Sequence, residues 1–258
     1  MAEPKRNYSI IGPESKRAQE RGLASAEWYT SPIPRAKMKE LMKRRNGPAI
    51  RDTIIWFGGL VILGYLAYLS WGTWWAIPAF LAYGVLYATP GDSRWHECGH
   101  GTAFKTPWMN EVMYQIASFM VLRSATPWRW SHARHHTDTI IVGRDPEIIT
   151  ERPPIWKILL LEIFHLYGGP NEIRRFFLHT VGRMGEEEKE YIPESQFRKV
   201  YWEARVYLLI ILAIAGACVY AGSILPAMFV FLPSFYGAAV VITFGVTQHL
   251  GLYEDVLD

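Results

Sequence analysis

Hydrophobic positions along the chain gather into four long runs, set in two pairs on either side of a polar middle. Ile54 to Trp71 carries no formal charge, nor does Trp74 to Ala88, and only Gly72-Thr73 separates them. A helix over the first run rises roughly 27 Å, barely the apolar thickness of a bilayer. Val206 to Ala221 and Ile224 to Val246, joined by Gly222-Ser223, repeat the layout. The pattern predicts an all-α membrane protein with four transmembrane helices, at about 54–71, 74–89, 206–221 and 224–246, arranged as two hairpins. Trp71, Trp74 and Trp75 fall where an aromatic belt would lie.

Outside these runs the signal weakens. Residues 1–53 mix charge with Pro32, Pro34, Gly47 and Pro48, which predicts a polar tail, partly helical near 36–45, ahead of a membrane domain over 54–258. Glu111 to Leu122, bounded by Pro107 and Pro127, is too short for a fifth span and reads as a buried or interfacial helix. Ile155 to Tyr167 is apolar apart from Lys157, Glu162 and His165, the pattern of a helix lying along a membrane surface. Arg183 to Lys199, with its run of three glutamates, reads as a solvated connection. Lys37, Lys39, Lys43, Arg44, Arg45 and Arg51 flank the first span while both hairpin tips lack Lys and Arg, so both termini and the central stretch are expected on the cytoplasmic side.

Composition supports the membrane reading: half of the residues are hydrophobic and eleven are Trp. A net charge of +3 is too small to point to nucleic acid, and no glycine-rich phosphate loop is present. The two cysteines, Cys98 and Cys218, give no disulfide framework and are expected to be reduced. No apolar leader with a small-residue cleavage site precedes the first run.

Chemistry concentrates in two windows that hold five of the eight histidines: His96 and His100 in one, His132, His135 and His136 in the other. Offsets of three and four put imidazoles on one face of a helix, and imidazole is the commonest metal ligand, so each window can present a set of ligands to a metal ion. The first window follows the second span so closely that its helix is expected to continue out of the bilayer despite Pro90 and Gly91, building a cytoplasmic helical metal-binding cap. Arg94, Glu97, Arg134, Asp138 and Asp145 surround the histidines, and one or more carboxylates should orient the rings.

Three other readings compete. His96-Glu97-Cys98-Gly99-His100 matches the His-Glu-x-x-His pattern of zinc metalloproteases, but a single-zinc site leaves the triple window without a role. Glu162 to His165 matches the Glu-x-x-His of ferritin-like di-iron bundles, which need two such motifs. A non-enzymatic metal transporter would carry ionisable residues inside its spans, and these runs have no Asp, Glu, Lys, Arg or His.

Two hairpins, a His-x-x-x-His box after the second span and a His-x-x-His-His box about thirty residues later together resemble the membrane-bound fatty acid desaturase superfamily, which includes related hydroxylases of alkyl or terpenoid substrates. The strings around His96 and His132 are close to those of acyl-lipid desaturases. The resemblance implies two iron ions held by His96, His100, His132, His135 and His136, with His249 as a further ligand, and dioxygen as co-substrate. It also implies an acyl lipid substrate and a separate electron donor such as a ferredoxin or cytochrome. The family's third histidine box is missing before Asp258, so the expectation is a chain truncated ahead of that segment and, by itself, impaired in iron retention and inactive.

Overall fold

The computed structural model describes residues 6–25, 30–148, 150–249 and 251–256, and every regular element among them is a helix. Helices α1 (Pro13–Glu20) and α2 (Arg35–Leu41) precede a long antiparallel pair, α3 (Asn46–Ser70) and α4 (Ala76–Gly99). The connection between the pair turns at Gly72, whose φ of +83° lies in the left-handed region that favours glycine. Helix α3 buries Trp56, Leu60 and Ala67 yet leaves Ile54, Ile55, Val61, Ile62 and Leu66 exposed. An element that is apolar all round needs an apolar solvent on its open side. Among the described residues, two stretches, Arg35–Ser70 and Glu194–Ala221, are long and apolar enough to cross a membrane.

Helix α4 passes through Pro90 and continues to Gly99, as its sequence suggests. Proline cannot donate to the carbonyl four residues back, and here the indole Nε1 of Trp56 donates to that Leu86 carbonyl at 2.8 Å. The lost bond is replaced from α3, so the helix persists.

The last apolar run is not one helix. It divides into α11 (Leu225–Val230), α12 (Pro233–Tyr236) and α13 (Ala238–His249). Pro233 leaves the Phe229 carbonyl without its helical donor, and the Leu232 amide turns to Ala227 instead of Met228. Three tyrosine hydroxyls take up the orphaned carbonyls: Tyr83 donates to Phe229 at 2.8 Å, Tyr87 to Val230 at 2.6 Å and Tyr236 to Met228 at 2.6 Å. Broken backbone among apolar surroundings persists only where such partners exist. At the second break Gly237 rests on Gly84, where an added Cβ would lie 2.0 Å from the Gly84 carbonyl oxygen.

Between the two long apolar regions stand α5 (Pro107–Met120), α6 (Ala125–Asp138), α7 (Trp156–Glu162), α8 (Gly168–Thr180) and α9 (Glu186–Lys189), followed by α10 (Glu194–Ala221). The expected surface helix stops at Glu162, whose carboxylate accepts the Gly168 amide at 2.6 Å across a turn in which His165 has φ +51°. The charged run 183–199 is not merely solvated: Glu188 is buried and pairs with buried His179 at 2.9 Å. Nor do residues 13–23 form a free tail. Ala18 and Leu23 form a small apolar cluster with Ile141.

Candidate metal centre

Both histidine windows are helical. His96 lies in the last turn of α4 and His100 immediately after it, while His132, His135 and His136 occupy α6. Helix α6 is fixed at its start from outside: Glu203 of α10 accepts the Thr126 amide at 2.9 Å and its hydroxyl at 2.8 Å. These bonds supply the cap that Ser124 does not provide. Tyr114 of α5 adds a hydroxyl bond to the Ala125 carbonyl at 2.5 Å. Below the rings, Trp128 stacks on His132 with centroids 4.1 Å apart, and Trp128 in turn lies against Trp95.

Held in this way, one ring nitrogen from each of His96, His100, His132 and His136 falls within 4.8 Å of the others. His132 Nε2 lies 3.1 Å from His100 Nε2 and 3.0 Å from His136 Nε2. His135 stands outside this group, its Nδ1 2.9 Å from Asp145 Oδ2. His249 ends α13, but its side chain lies outside the described residues. Neither His165, beside Glu162 at 3.3 Å, nor His179 belongs to the cluster. Glu97 also stands apart, turned to Arg94 at 2.9 Å, so the general base that the protease pattern requires is not aimed at the imidazoles.

Proton positions follow from the carboxylates. Glu147 accepts from His132 Nδ1 at 2.7 Å and from the Ser131 hydroxyl at 2.6 Å. With Nδ1 donating a proton to Glu147, Nε2 of His132 faces two neighbouring imidazole nitrogens, an arrangement a cation resolves. Burial first, and then His132, His100 and His136, push the His96 pKa down to about 4. His100 and His136 are lowered for the same reasons, burial leading and His132 next. Neutral imidazole is the ligating form, so burial and crowding prepare these rings to receive a metal ion. Burial works against charge on His135 too, but its hydrogen bond and attraction to Asp145 outweigh it and raise the pKa. Glu147 is held below the usual carboxylate range because His132 and Ser131 overcome the cost of its burial.

Asp145 is among the charges expected around the histidines from the sequence, and Glu147 is not. The loop after α6 carries both: Asp145 also accepts the amides of Ile140 at 2.8 Å and Glu147 at 2.8 Å, so one carboxylate orders the loop that delivers the other. The available signal was the string Asp145-Pro146-Glu147, with no helical period to connect it to the box.

An apolar cavity of about 830 Å³ lies between α3, α4, α5, α10 and α11, with Phe57, Leu60, Phe119, Met120, Ile210 and Phe229 in its wall. Tyr83 and Tyr87 contribute rings while their hydroxyls are committed to the carbonyls of α11, and the Tyr207 hydroxyl contacts Gln115 Oε1 at 3.2 Å. The inner surface is therefore hydrocarbon-like. Along α4 the distance from Tyr87 to His96 is nine residues, about 13 Å of helix.

Residues 70–258, well over half of the chain, match the family model described as fatty acid desaturase. Among curated proteins, the chain is 25% identical over 117 residues to the Delta(12)-fatty-acid desaturase of Arabidopsis thaliana, covering 41% of this chain and 29% of that protein. It is 26% identical over 143 residues to a Delta(12) acyl-lipid conjugase (11E,13E-forming) of Impatiens balsamina, covering 50% and 35% respectively. A Delta(12) fatty acid desaturase of Caenorhabditis elegans is 29% identical over 101 residues, covering 37% and 25%. The chain thus spans about a quarter to a third of the length of these relatives.

Proposed function

The chain belongs to the fatty acid desaturase family, and from that premise we propose that it is a membrane desaturase that inserts a double bond into the acyl chain of a lipid. The observation that carries this reading is the convergence of four imidazoles from α4 and α6, with the His132 tautomer set by Glu147. His96, His100, His132, His135, His136 and His249 would hold two iron ions. Bound iron supplies, with dioxygen and two electrons, the oxidation that removes hydrogen from an unactivated carbon.

The chain's own residues bind and orient. The cavity accepts an acyl chain through apolar contact, which aligns it without fixing a charge. Helices α4 and α6 hold the imidazoles; Glu147 and Asp145 keep a proton on Nδ1 of His132 and His135, leaving Nε2 of each ring as the ligating atom. The membrane arrangement is four spans as two hairpins, with both termini and the metal site on the cytoplasmic side, supported by the basic flank before the first span and the uncharged hairpin tips. Electrons arrive from a separate donor such as a ferredoxin or cytochrome. The names of the relatives, two desaturases and a conjugase acting on acyl chains, support acyl lipid over an alkane or terpenoid.

The test is reconstitution of the full-length protein with iron in phospholipid vesicles, followed by metal analysis and mass spectrometry of the lipids after addition of reductant under oxygen. Two irons per chain and a loss of two mass units from acyl chains are expected. Hydroxylated products would move the assignment to the related hydroxylases; one zinc with peptidase activity would overturn it.

A further inference from the structure

The loop that carries Asp145 and Glu147 presents one side to the histidines and the other to the two ends of the described chain. Residues 6–23 lie across that outer side. Ala18 and Leu23 cover Ile141, and α1 presses on Gly143 so closely that a Cβ there would lie 2.6 Å from the Ser15 amide nitrogen. Asp255 reaches the same loop from the other direction. Its amide donates to the Ile140 carbonyl at 3.2 Å, and its Oδ1 accepts the Val142 amide at 2.9 Å.

Asp255 also connects the two ends. Its Oδ2 accepts from Arg6 at 2.5 Å and from Arg21 at 3.0 Å, and its side chain is 5% exposed. Neighbouring Glu254 accepts the Tyr8 hydroxyl at 2.7 Å, while that hydroxyl accepts the Arg152 amide at 2.8 Å. A carboxylate this well buried, with two guanidinium groups on one oxygen and a loop amide on the other, fixes its surroundings because each partner would otherwise lose a charge-assisted bond.

We propose that residues 6–23 and Asp255 form a clamp that holds the loop 139–148, so that Asp255 is a positioning residue for Glu147 and Asp145 and, through them, for the ligating rings. This rests on the metal reading of the histidine cluster. Residues remote in sequence thereby set how tightly the centre retains its ion, without touching it. Asp255→Ala removes both acceptors; Asp255→Asn keeps one for Val142 and loses the charge that binds Arg6 and Arg21. Arg21→Ala, at an exposed side chain, loosens the clamp without altering the loop contact.

The experiment uses the full chain in detergent and reads two quantities: amide hydrogen exchange of residues 140–147, and retention of Co2+ against a competing chelator. Asp255→Ala is expected to accelerate exchange across the loop and to weaken Co2+ binding about tenfold, the lower end of what loss of a ligand-orienting partner causes. Asp255→Asn and Arg21→Ala should fall between it and the parent, with exchange in α3, α4 and α10 unchanged. Loop exchange identical to the parent in Asp255→Ala overturns the clamp, and faster exchange with unaltered Co2+ retention overturns its positioning role. If the parent takes up no Co2+, the metal reading fails instead, and exchange of the Glu147 amide alone then decides the clamp: acceleration sustains it and no change removes it.

Discussion

Glu147→Ala removes the acceptor that holds the His132 proton on Nδ1. In the parent, the carboxylate bonds His132 at 2.7 Å and Ser131 at 2.6 Å, and its side chain is 18% exposed. Hydrogen bonds to a charged group contribute about 1.5–3 kcal/mol, against about 1 kcal/mol for a neutral pair. Loss of the charged acceptor therefore costs roughly tenfold to a hundredfold in metal affinity, at about 1.4 kcal/mol per decade, which agrees with the range for ligand-orienting partners. Glu147→Gln keeps the shape and an acceptor oxygen but no charge, so its loss should be about tenfold or less. The assay is titration of the detergent-solubilised chain with Co2+ against a chelator, followed through the visible spectrum of the bound ion. Glu147→Ala binding Co2+ within twofold of the parent, in a protein with an unchanged melting temperature, would refute the argument that this carboxylate sets the ring.

Two further outcomes follow from the fold and the charges. Gly237→Ala forces a Cβ to within 2.0 Å of the Gly84 oxygen, where both sides are backbone and neither yields; destabilisation at or above the usual 1–3 kcal/mol of overpacking should appear as a lowered melting temperature in detergent, and a parental value would contradict the glycine contact. Acidification should destabilise the metal-free protein: His96 titrates near 4 when folded against an ordinary 6.5, so between those values the unfolded chain binds more protons and stability falls as pH falls. His100 and His136 act with the same sign and His135 with the opposite one, so a melting temperature that rises from pH 6.5 to 4.5 would show the assignment of the dominant groups to be wrong.

What the sequence made legible was what a one-dimensional pattern can carry. Charge-free runs gave α3 and α10, and offsets of three and four put His132, His135 and His136 on a helix that the structure contains. The continuation of α4 past Pro90 was legible as an expectation, but its cause, Trp56 on the neighbouring helix, was not. The breaks between α11, α12 and α13 escaped the pattern because hydropathy is unaltered across them; they exist because tyrosines of α4 and α12 satisfy the freed carbonyls. Glu147 and the docked residues 6–23 escaped for a related reason, since loop carboxylates and long-range ion pairs have no period. His135 illustrates the limit at the site itself: its spacing equals that of a ligand, and only the fold reveals Asp145 behind it.

Helix α4 carries both the wall of the cavity and the first histidines on one unbroken rod. Depth in the cavity and distance from the imidazoles are thus marks on a single ruler, graduated at about 1.5 Å per residue. A residue inserted between Ala88 and Trp95 would shift that scale by one division and swing His96 by about 100° around the axis. The replaced hydrogen bond at Leu86 is what keeps the ruler continuous at its weakest point, so Trp56, a residue of the other helix, guards a measurement made along this one.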